Sequence, residues 1–404
     1  MVLHEQATGH EGAVRSALFG VALVSSFAQF GAVASLNDVS THFGAHQNLL
    51  HVKALIGLSG SQIALGLAIL RLASLGTLFF TSLGDRRARS RVLTTVLYAG
   101  LVLTVLAAFS PSYWAFVLIF ALARPLLGSA SALAQVLTVE HSRGHRVGMM
   151  AVLTAGGGIG AGLAAVLHGV VRGPNSFRWL FALAVIPLLV MPFVLRALRG
   201  VTAVRASDTR LGRVPQQLRG SVAVMAGVAF AVGAIGGPAN GFAFVYGEGV
   251  QHIAPASMSL LVLLCAVTGL VGLLAGNGLS KRFGLRRTLA GAIILVAASA
   301  TFAYGGGKYE FMSGYLIGIG VSGAMSPVLA TLAIQIFPRN NRATCAGWVL
   351  VSGVLGATIG LELFGYLVDV LPSAHAWRVA GVLTFWPALG LLGLLPRVVE
   401  HYRD

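Results

Sequence analysis

Twelve strongly apolar stretches recur along this 404-residue chain and constrain its fold more than any other feature. An α-helix rises about 1.5 Å per residue, so about 20 apolar residues are needed to cross a hydrocarbon core about 30 Å thick. Within that core every backbone N–H and C=O group must find a partner inside the chain, which favours helices over open strands. The sequence therefore predicts an all-α, polytopic membrane protein with twelve transmembrane helices.

The composition agrees with this interpretation. Hydrophobic residues make up 56% of the chain and charged residues only 10%, whereas soluble domains contain about 45–50% apolar residues. The first stretch is longer than the apolar region of about 7–15 residues in a signal peptide, so we expect it to be retained as a helix. The predicted spans, one to twelve, cover residues 14–36, 57–81, 92–109, 113–137, 148–170, 178–196, 221–246, 258–279, 288–305, 312–336, 345–370 and 378–396.

The basic residues predict how the chain is oriented. If the N-terminus is cytoplasmic, 21 of the 28 Lys and Arg residues lie on that side and five on the other, while Arg71 and Arg124 fall inside spans. This asymmetry follows the positive-inside rule. We therefore expect a multi-pass protein of the cell (inner) membrane with both termini cytoplasmic. The basic residues behind the net charge of +16 are then expected to contact the anionic headgroups of membrane lipids, and we expect no nucleic-acid partner.

An internal repeat divides the chain in two. The charged loop "SLGDRRARSR" at 82–91 has a counterpart in "LSKRFGLRR" at 279–287, displaced by 196 positions. The Arg178-to-Pro187 spacing returns 200 residues later as Arg378 to Pro387. The longest polar interruption lies between the two copies. We predict a six-helix bundle at 1–196, a basic cytoplasmic linker at 197–220 and a second six-helix bundle at 221–404.

The first charged loop resembles the signature of the major facilitator superfamily. Asp85, Arg86 and Arg89 match its acidic and basic positions, and the second copy keeps Arg282 but has Lys281 in place of the acid. Together with the topology, the chain resembles this superfamily over its full length. The resemblance implies two pseudo-symmetric bundles that open alternately to the two sides of the membrane. It also implies a cytoplasmic gate made of Asp85, Arg86, Arg89, Lys281 and Arg282, although the arginines could instead serve only to orient the protein.

Ionisable residues inside the spans are the first candidates for a binding site, because burying charge in a membrane is costly. On span four, Arg124, Gly128, Ser131 and Gln135 fall on one narrow face at helical spacing. Arg71 lies at similar depth in span two. Two guanidinium groups would attract an anion or pair with carboxylates. The spacing from Arg124 to Gly128 also resembles the span-four motif of proton-coupled exporters in the superfamily.

Carboxylates are scarce in the spans, and we expect the few present to carry the coupling proton. Glu362 in span eleven is the first candidate and Asp38 at the end of span one is the second. Neutral polar residues extend the predicted substrate site, and Pro238 in "GGPAN" is expected to break span seven and free backbone groups there. Each of these groups could instead hold helices together. The complete predicted substrate site is Arg71, Arg124, Gln29, Ser131, Asn240, Tyr315, Ser322 and Ser326.

Several motifs are not expected to bind anything. The run "GGGIGAG" at 156–162 lies inside an apolar span, so we predict close helix packing through the pairs Gly156/Gly160 and Gly158/Gly162 rather than a nucleotide loop. The histidines in "HFGAHQNLLH" and "EHSRGHR" have no carboxylate or thiol cluster nearby in sequence, so we expect no metal site. We also predict no cofactor and no enzymatic activity, because the spans contain no recognisable nucleophile and base.

Three functions remain open from the sequence. The first is proton-coupled efflux of a small amphipathic metabolite or drug through alternating access. The second is uptake or exchange of a small organic anion bound by Arg71 and Arg124. The third is a non-transporting membrane sensor on the same fold. For transport, the expected partners are the small-molecule substrate, membrane lipids and a proton or another coupling ion, and we expect a monomer.

Overall fold

The computed structural model describes residues 2–44, 58–141, 146–171, 175–198, 214–338, 342–372 and 375–397. Within these ranges the chain is helical and forms no strand. Short 3₁₀ or π turns occupy Arg196–Leu198, Gln216–Leu218, Val245–Val250 and Leu389–Arg397. The α-helices are α1 (Val2–Ala34), α2 (Leu36–Gly44), α3 (Gly60–Ala73), α4 (Gly76–Arg86), α5 (Arg89–Ala107), α6 (Tyr113–His141), α7 (Arg146–Val170), α8 (Ser176–Ala182), α9 (Val185–Leu195), α10 (Arg219–Gly241), α11 (Pro255–Phe283), α12 (Leu285–Gly305), α13 (Lys308–Ile336), α14 (Arg342–Val370) and α15 (Ala376–Ala388).

The predicted all-α, polytopic membrane fold is confirmed. Counted over the described residues, eleven helical stretches are long and apolar enough to cross a membrane. They coincide with every predicted span except the tenth, and α13, a helix of 29 residues, occupies that position. The predicted ends differ from the observed ends by a few residues.

Span two differs from a single helix, because it is divided into α3 and α4. The division lies at Ser74 and Leu75, whose carbonyl groups accept bonds from the N–H groups of Thr77 (3.0 Å) and Leu78 (3.1 Å). These i to i+3 bonds form tighter turns than the α-helix. Neither Ser74 nor Leu75 is a proline or glycine, although Gly76 follows directly and begins α4.

Helix packing groups the chain into two units. The first unit comprises residues 1–39 and 73–209, and the second unit comprises residues 40–72 and 210–404. The break in span two coincides with the division, because α3 belongs to the second unit and α4 to the first. Most of the predicted linker, 199–213, lies outside the described residues. The predicted bundle boundaries at 196 and 221 remain a prediction.

The same helix pairs occur within each half of the repeat. In the first half, span one packs against span five (α1 with α7). Span four packs against span three (α5 with α6) and against span two (α4 with α6). Six spans later, the corresponding pairs are α10 with α14, α12 with α13 and α11 with α13. The equivalence supports the duplication inferred from the charged loops. In the first unit, Leu18 of α1, Leu93 of α5 and Leu127 of α6 contribute to one buried apolar core.

Small residues let several of these pairs approach at backbone distance, as predicted for Gly156 and Gly160. A Cβ atom at Gly160 would overlap the carbonyl oxygen of Leu23 in α1, and one at Gly156 would lie 2.9 Å from the Phe19 ring. That prediction is confirmed. The prediction for Gly158 is wrong, because a Cβ atom there would meet nothing within 4 Å. Gly158 therefore lies on a face of α7 that does not pack closely against α1.

Candidate functional site

The candidate site is built around a contact of three helices in the second unit. Gly241 ends α10, and a Cβ atom at this position would lie 2.9 Å from Leu361 Cδ2 of α14 and 3.0 Å from Leu67 Cδ1 of α3. Glycine is therefore needed for the close approach of both leucines. The contact fixes the register of α3 and α14 against the end of α10.

Three of the predicted polar residues flank this apolar contact. Arg71 follows Leu67 by one helical turn, Asn240 precedes Gly241, and Glu362 follows Leu361. All three side chains are half-buried. The Oε1 atom of Glu362 is buried and makes no hydrogen bond to any residue that the structure describes. A buried carboxylate oxygen without a partner is costly, and such groups in membrane spans are candidates for function.

A small cavity opens on the other side of Asn240. Its volume is about 30 Å³, and its lining includes Asn240, Tyr304, Tyr315 and Ser322. One water needs about 10–15 Å³, so the cavity is large enough for water but too small for an organic molecule in this conformation. The structure thus brings together three predicted residues, Asn240, Tyr315 and Ser322, from two helices that are far apart in sequence.

The polar atoms of this cavity already have weak or local partners. The Tyr315 hydroxyl donates to Asn240 Oδ1 at 3.4 Å, a long bond by usual criteria. The Asn240 amide donates to the Gly236 carbonyl at 2.9 Å, and the Ser322 hydroxyl donates to the Gly318 carbonyl at 2.8 Å. A ligand could replace the long Tyr315 bond at little cost.

Aromatic rings form the wall behind the cavity. Tyr304 stacks on Trp377 with ring centroids 6.0 Å apart, and Phe311 stacks on Tyr315 at 5.8 Å. The Tyr304 hydroxyl donates to the Ala239 carbonyl at 2.8 Å. Helix α10 passes Pro238 and ends at Gly241. The expected end of the helix beside Asn240 is present, but the Ala239 carbonyl is bound by Tyr304 rather than free for a ligand.

A carboxylate that sequence analysis did not select, Asp369, holds the start of α3. Its Oδ1 accepts a bond from the Gly60 N–H at 2.7 Å. Its Oδ2 accepts bonds from the Ser61 N–H at 2.9 Å and the Ser61 hydroxyl at 2.6 Å. The backbones approach closely here, since a Cβ atom at Gly60 would lie 2.8 Å from the Gly365 carbonyl oxygen.

The remaining donors of that helix end are bound locally. The Ser59 hydroxyl accepts from the Gln62 N–H at 3.1 Å, and the Gln62 side chain accepts from the Ser59 N–H at 3.3 Å. The Ser59 carbonyl accepts from the Ile63 N–H at 3.1 Å. Ser59 and Gln62 form a capping box. All four N–H groups that a helix start leaves unpaired are therefore satisfied.

In the first unit, Asp38 contacts a buried histidine. His168 Nδ1 lies 3.3 Å from Asp38 Oδ2, and the two side chains are 2% and 22% exposed. The Ser176 hydroxyl donates to the same carboxylate oxygen. Asp38 therefore lies in a polar cluster of α2, α7 and α8, which gives a carboxylate a neighbour that can share a proton.

The other predicted substrate residues are spread over both units. Arg124, Gln29 and Ser131 are half-buried in the first unit, whereas Arg71 packs with the second. The Gln29 amide donates to the Ser25 carbonyl of its own helix at 3.3 Å. Gly128, on the predicted polar face of α6, lies against Thr77 of α4. Ser326 is in α13, but its side chain lies outside the described residues.

The predicted gate residues lie at helix ends. Asp85 and Arg86 end α4, and nothing is described of their side chains. Arg89 begins α5 and is buried, at 4% exposure. Lys281 and Arg282 are exposed in the last turn of α11, where the Arg282 guanidinium lies 5.3 Å from the Phe283 ring centroid.

Three ionisable residues were missed in the sequence. His168 lies inside predicted span five, and the rule that charged groups in spans are functional would have selected it. Asp369 stands at the end of span eleven and carries no local sign of its distant partner. Glu248, 8% exposed, lies in the π-helical turn Val245–Val250 just beyond predicted span seven, where burial is not expected from sequence.

Comparison with known proteins identifies relatives over most of the chain. Residues 18–304 match the model described as the Major Facilitator Superfamily. The chain is 27% identical to a gentisate transporter of Corynebacterium glutamicum over 366 residues, covering 85% of this chain and 77% of that protein. It is also 27% identical to a probable 4-methylmuconolactone transporter of Cupriavidus pinatubonensis over 372 residues, covering 81% of this chain and 82% of that protein.

Solved structures share the fold at low sequence identity. A bacterial homologue of the human lysosomal transporter Spinster, in an inward-facing and occupied conformation, has a TM-score of 0.75 at 12% identity and covers 98% of this chain and 99% of its own. The human organic anion transporter structure that also matches has a TM-score of 0.64 at 15% identity, with 95% and 99% coverage. At these identities the likeness concerns the fold alone.

Proposed function

The chain belongs to the Major Facilitator Superfamily and is a membrane transporter rather than an enzyme, and we propose that it carries small cyclic or aromatic carboxylates by alternating access. The observation that carries this proposal is Arg71, a guanidinium one turn from the Leu67–Gly241–Leu361 contact. Guanidinium groups bind carboxylates through paired, charge-assisted hydrogen bonds. Of the two transport functions open from the sequence, the proposal therefore selects uptake or exchange of an organic anion.

The relatives support the same chemical class. Their names refer to gentisate and to 4-methylmuconolactone, which are ring compounds that carry a carboxylate. A ring needs apolar and aromatic surface beside the group that binds its charge. In the second unit, Tyr304 and Tyr315 supply such surface next to the Asn240 amide. Arg71 would bind the carboxylate, and Asn240, Tyr315, Ser322 and Ser326 would line the ring. Arg124, Gln29 and Ser131, which belong to the first unit, remain proposed substrate-binding residues.

Coupling to protons is part of the proposal. Glu362 has a buried oxygen with no described partner, and protonation would remove the charge that makes this position costly. Asp38, in contact with His168, would be the second proton-binding group. The remaining elements are those expected from the sequence: a monomer in the cell (inner) membrane, surrounded by lipids, with both termini cytoplasmic.

Alternating access requires contacts that break in each cycle. The proposed cytoplasmic gate is Asp85, Arg86, Arg89, Lys281 and Arg282, at the ends of α4, α5 and α11. Ion pairs of the exposed Lys281 and Arg282, worth about 0–1 kcal/mol each, suit this role, whereas Arg89 is buried. In the proposed orientation, the contact of Asp369 with the start of α3 lies on the opposite, outer side, and it joins helices of one unit rather than forming part of the gate.

Transport by reconstituted vesicles tests the substrate class. Gentisate, benzyl alcohol and tetraphenylphosphonium represent an aromatic anion, a neutral ring and a lipophilic cation. We expect uptake of gentisate, and Arg71→Gln should weaken it at least about tenfold, the effect of losing one charge-assisted contact of about 1.5–3 kcal/mol. Arg219→Gln, at the exposed start of α10, is the control for loss of a positive charge.

Two outcomes would contradict the proposal. If Arg71→Gln transports gentisate as well as Arg219→Gln does, the carboxylate is not bound by Arg71. If no class of compound is transported by the wild type while the protein is folded, the non-transporting sensor is favoured.

Efflux of an amphipathic compound is the second candidate function. It is favoured by the spacing of Arg124 and Gly128 in α6, which resembles that of proton-coupled exporters. This function predicts that tetraphenylphosphonium is transported and still binds to Arg71→Gln and Arg124→Gln, with only its coupling to protons impaired. The same vesicles therefore distinguish the two functions.

A further inference from the structure

An open groove of about 690 Å³ runs along the surface of the second unit between α11 and α12. Helix α13 forms its floor, and α11 and α12 form its two walls. On α11 the lining extends from Thr268 to Phe283, which is about 22 Å at about 1.5 Å per residue. This length exceeds one leaflet, or half of a hydrocarbon core about 30 Å thick.

Part of the groove's floor has little side-chain volume, because Gly320 and Ala324 of α13 line it beside larger aliphatic residues of the same helix. Helices α11 and α13 approach at backbone distance, since a Cβ atom at Gly272 would overlap the Gly320 carbonyl oxygen and one at Gly276 would lie 2.5 Å from that of Ala324. Small residues allow membrane helices to pack in this way. The walls rise above this floor at Phe283 and Leu295, which are 50% and 49% exposed.

The lining is apolar except for three residues. Of its three polar residues, Thr268 donates its hydroxyl to the Cys265 and Leu316 carbonyls at 3.2 and 3.3 Å, and Thr288 donates to the Gly284 carbonyl at 2.9 Å. The third is Arg287, whose exposed guanidinium forms no ion pair with any residue in the described part of the chain. The groove thus presents a long apolar channel with a single cation at its end.

The turn between α11 and α12 keeps that cation in place. Gly284 has a φ of 82°, a left-handed conformation that favours glycine. It reverses the chain between Phe283 and Arg287, so both residues line the same end of the groove. The basic loop that contains them is on the side that the positive-inside rule assigns to the cytoplasm.

We propose that this groove is a binding site for one anionic phospholipid, with an acyl chain in the channel and the phosphate paired with Arg287. The occupant is chosen by complementarity. The acyl chain of a phospholipid matches the length and apolar lining of the channel. Its anionic phosphate matches the cation at the level of the headgroups. The substrate proposed above is a small anion and could not fill such a channel.

Native mass spectrometry of the detergent-solubilised full chain tests the headgroup contact. The probes are phosphatidylglycerol and phosphatidylcholine with identical acyl chains. We expect one saturable phosphatidylglycerol per chain, bound more tightly than phosphatidylcholine. Arg287→Gln should weaken this binding about tenfold, as expected for one charge-assisted contact. Lys281→Gln removes a charge from the same loop but does not line the groove, and should change the affinity little. Equal weakening by both variants, or equal binding of the two lipids, would overturn the proposal.

A second pair of variants tests the channel. A Cβ atom at Gly291, in the groove, or at Gly278, on α11 but outside the lining, would meet nothing within 4 Å. Both positions have room for a Cβ atom and are exposed, so leucine is introduced at each, and unchanged size-exclusion elution and melting temperature would verify folding. We expect Gly291→Leu to abolish phosphatidylglycerol retention and Gly278→Leu to preserve it. If Gly291→Leu melts lower than its control, Gly291→Val supplies a smaller filler for the same comparison. Retention by the folded Gly291 variants at the level of Gly278→Leu would show that no acyl chain occupies the channel.

Discussion

Two carboxylates on α14 have the same chemistry and opposite surroundings. Glu362 and Asp369 are seven residues apart, which is two helical turns, so they lie on nearly the same face. Asp369 accepts three hydrogen bonds from Gly60 and Ser61. Glu362 has a buried Oε1 with no partner among the described residues. Two turns along one helix thus separate a satisfied carboxylate from an unsatisfied one.

The difference shows which carboxylate stabilises the protein and which is available for chemistry. The negative charge of Asp369 stands at the start of α3, where unpaired N–H groups and the helix dipole favour an anion. Glu362 has no such compensation, so its charged form is costly and proton binding relieves the cost. Replacing each acid by its amide should therefore affect different properties.

The largest expected effect is on coupling. In vesicles whose interior is one pH unit more alkaline than the outside and that have no membrane potential, cotransport of one proton with each gentisate anion should give about tenfold accumulation, because one pH unit corresponds to about 1.4 kcal/mol. Glu362→Gln should abolish accumulation and retain downhill movement, since an amide cannot carry the proton. Its melting temperature should equal or exceed that of the wild type. Full accumulation in this variant would assign the proton to another group, with Asp38→Asn as the next variant to measure.

The next effect is on stability. Asp369→Asn places an amide NH₂ against the N–H groups of α3, so at least one charge-assisted bond is lost, at a cost of about 2 kcal/mol. We expect the melting temperature to fall by several degrees. The matched control is Glu310→Gln, which removes the half-buried carboxylate that accepts an exposed bond from the Gly307 N–H at 3.0 Å at the start of α13. Exposed contacts of this kind contribute about 0–1 kcal/mol.

Equal melting temperatures for the Asp369 and Glu310 variants would contradict the view that Asp369 stabilises α3. A fall in melting temperature for Glu362→Gln as large as that for Asp369→Asn would remove the contrast between the two carboxylates.

The smallest expected effect on stability comes from removing one of the three donors that bind Asp369. Ser61→Ala removes the hydroxyl that donates to Asp369 Oδ2 at 2.6 Å but keeps the two backbone donors. We expect a loss of about 1 kcal/mol, less than that of Asp369→Asn. Ser313→Ala is the control, because this exposed hydroxyl donates only to backbone carbonyls of its own helix. Thermal unfolding of the four variants together should order them as Asp369→Asn, Ser61→Ala, Ser313→Ala and Glu362→Gln, from least to most stable. If Asp369→Asn and Ser61→Ala are non-additive in the double variant, the shared contact is measured directly.

Much of the fold could be predicted because it depends on local properties. Apolar length predicts the spans, and the repeat of the charged loops predicts paired helices that the structure repeats in each half. The break at Ser74 and Leu75 was not predicted, because neither residue is a helix breaker and the single glycine that follows, Gly76, is common in membrane helices. The prediction of close helix packing was confirmed for Gly160 and wrong for Gly158, because the spacing of the glycines does not tell which face of the helix contacts a neighbour.

The candidate site was only partly predictable. Burial cost selected Arg71 and Glu362, and polar character selected Asn240 and Tyr315. The contact of Gly241 with Leu67 and Leu361, and the bond of Tyr315 with Asn240, join distant parts of the chain that no spacing in the sequence relates. The pairing of Asp38 with His168 likewise joins residues 130 positions apart.

At the start of α3, some hydrogen bonds follow from the local sequence and others only from the tertiary structure. The sequence Ser-Gly-Ser-Gln at 59–62 by itself determines a capping box, because its two bonds join residues three positions apart in a helix. The other two N–H groups are bound by Asp369, 308 or more positions away. Only the tertiary structure decides that contact, because it requires the backbones at Gly60 and Gly365 to touch, and packing between distant helices determines where they meet.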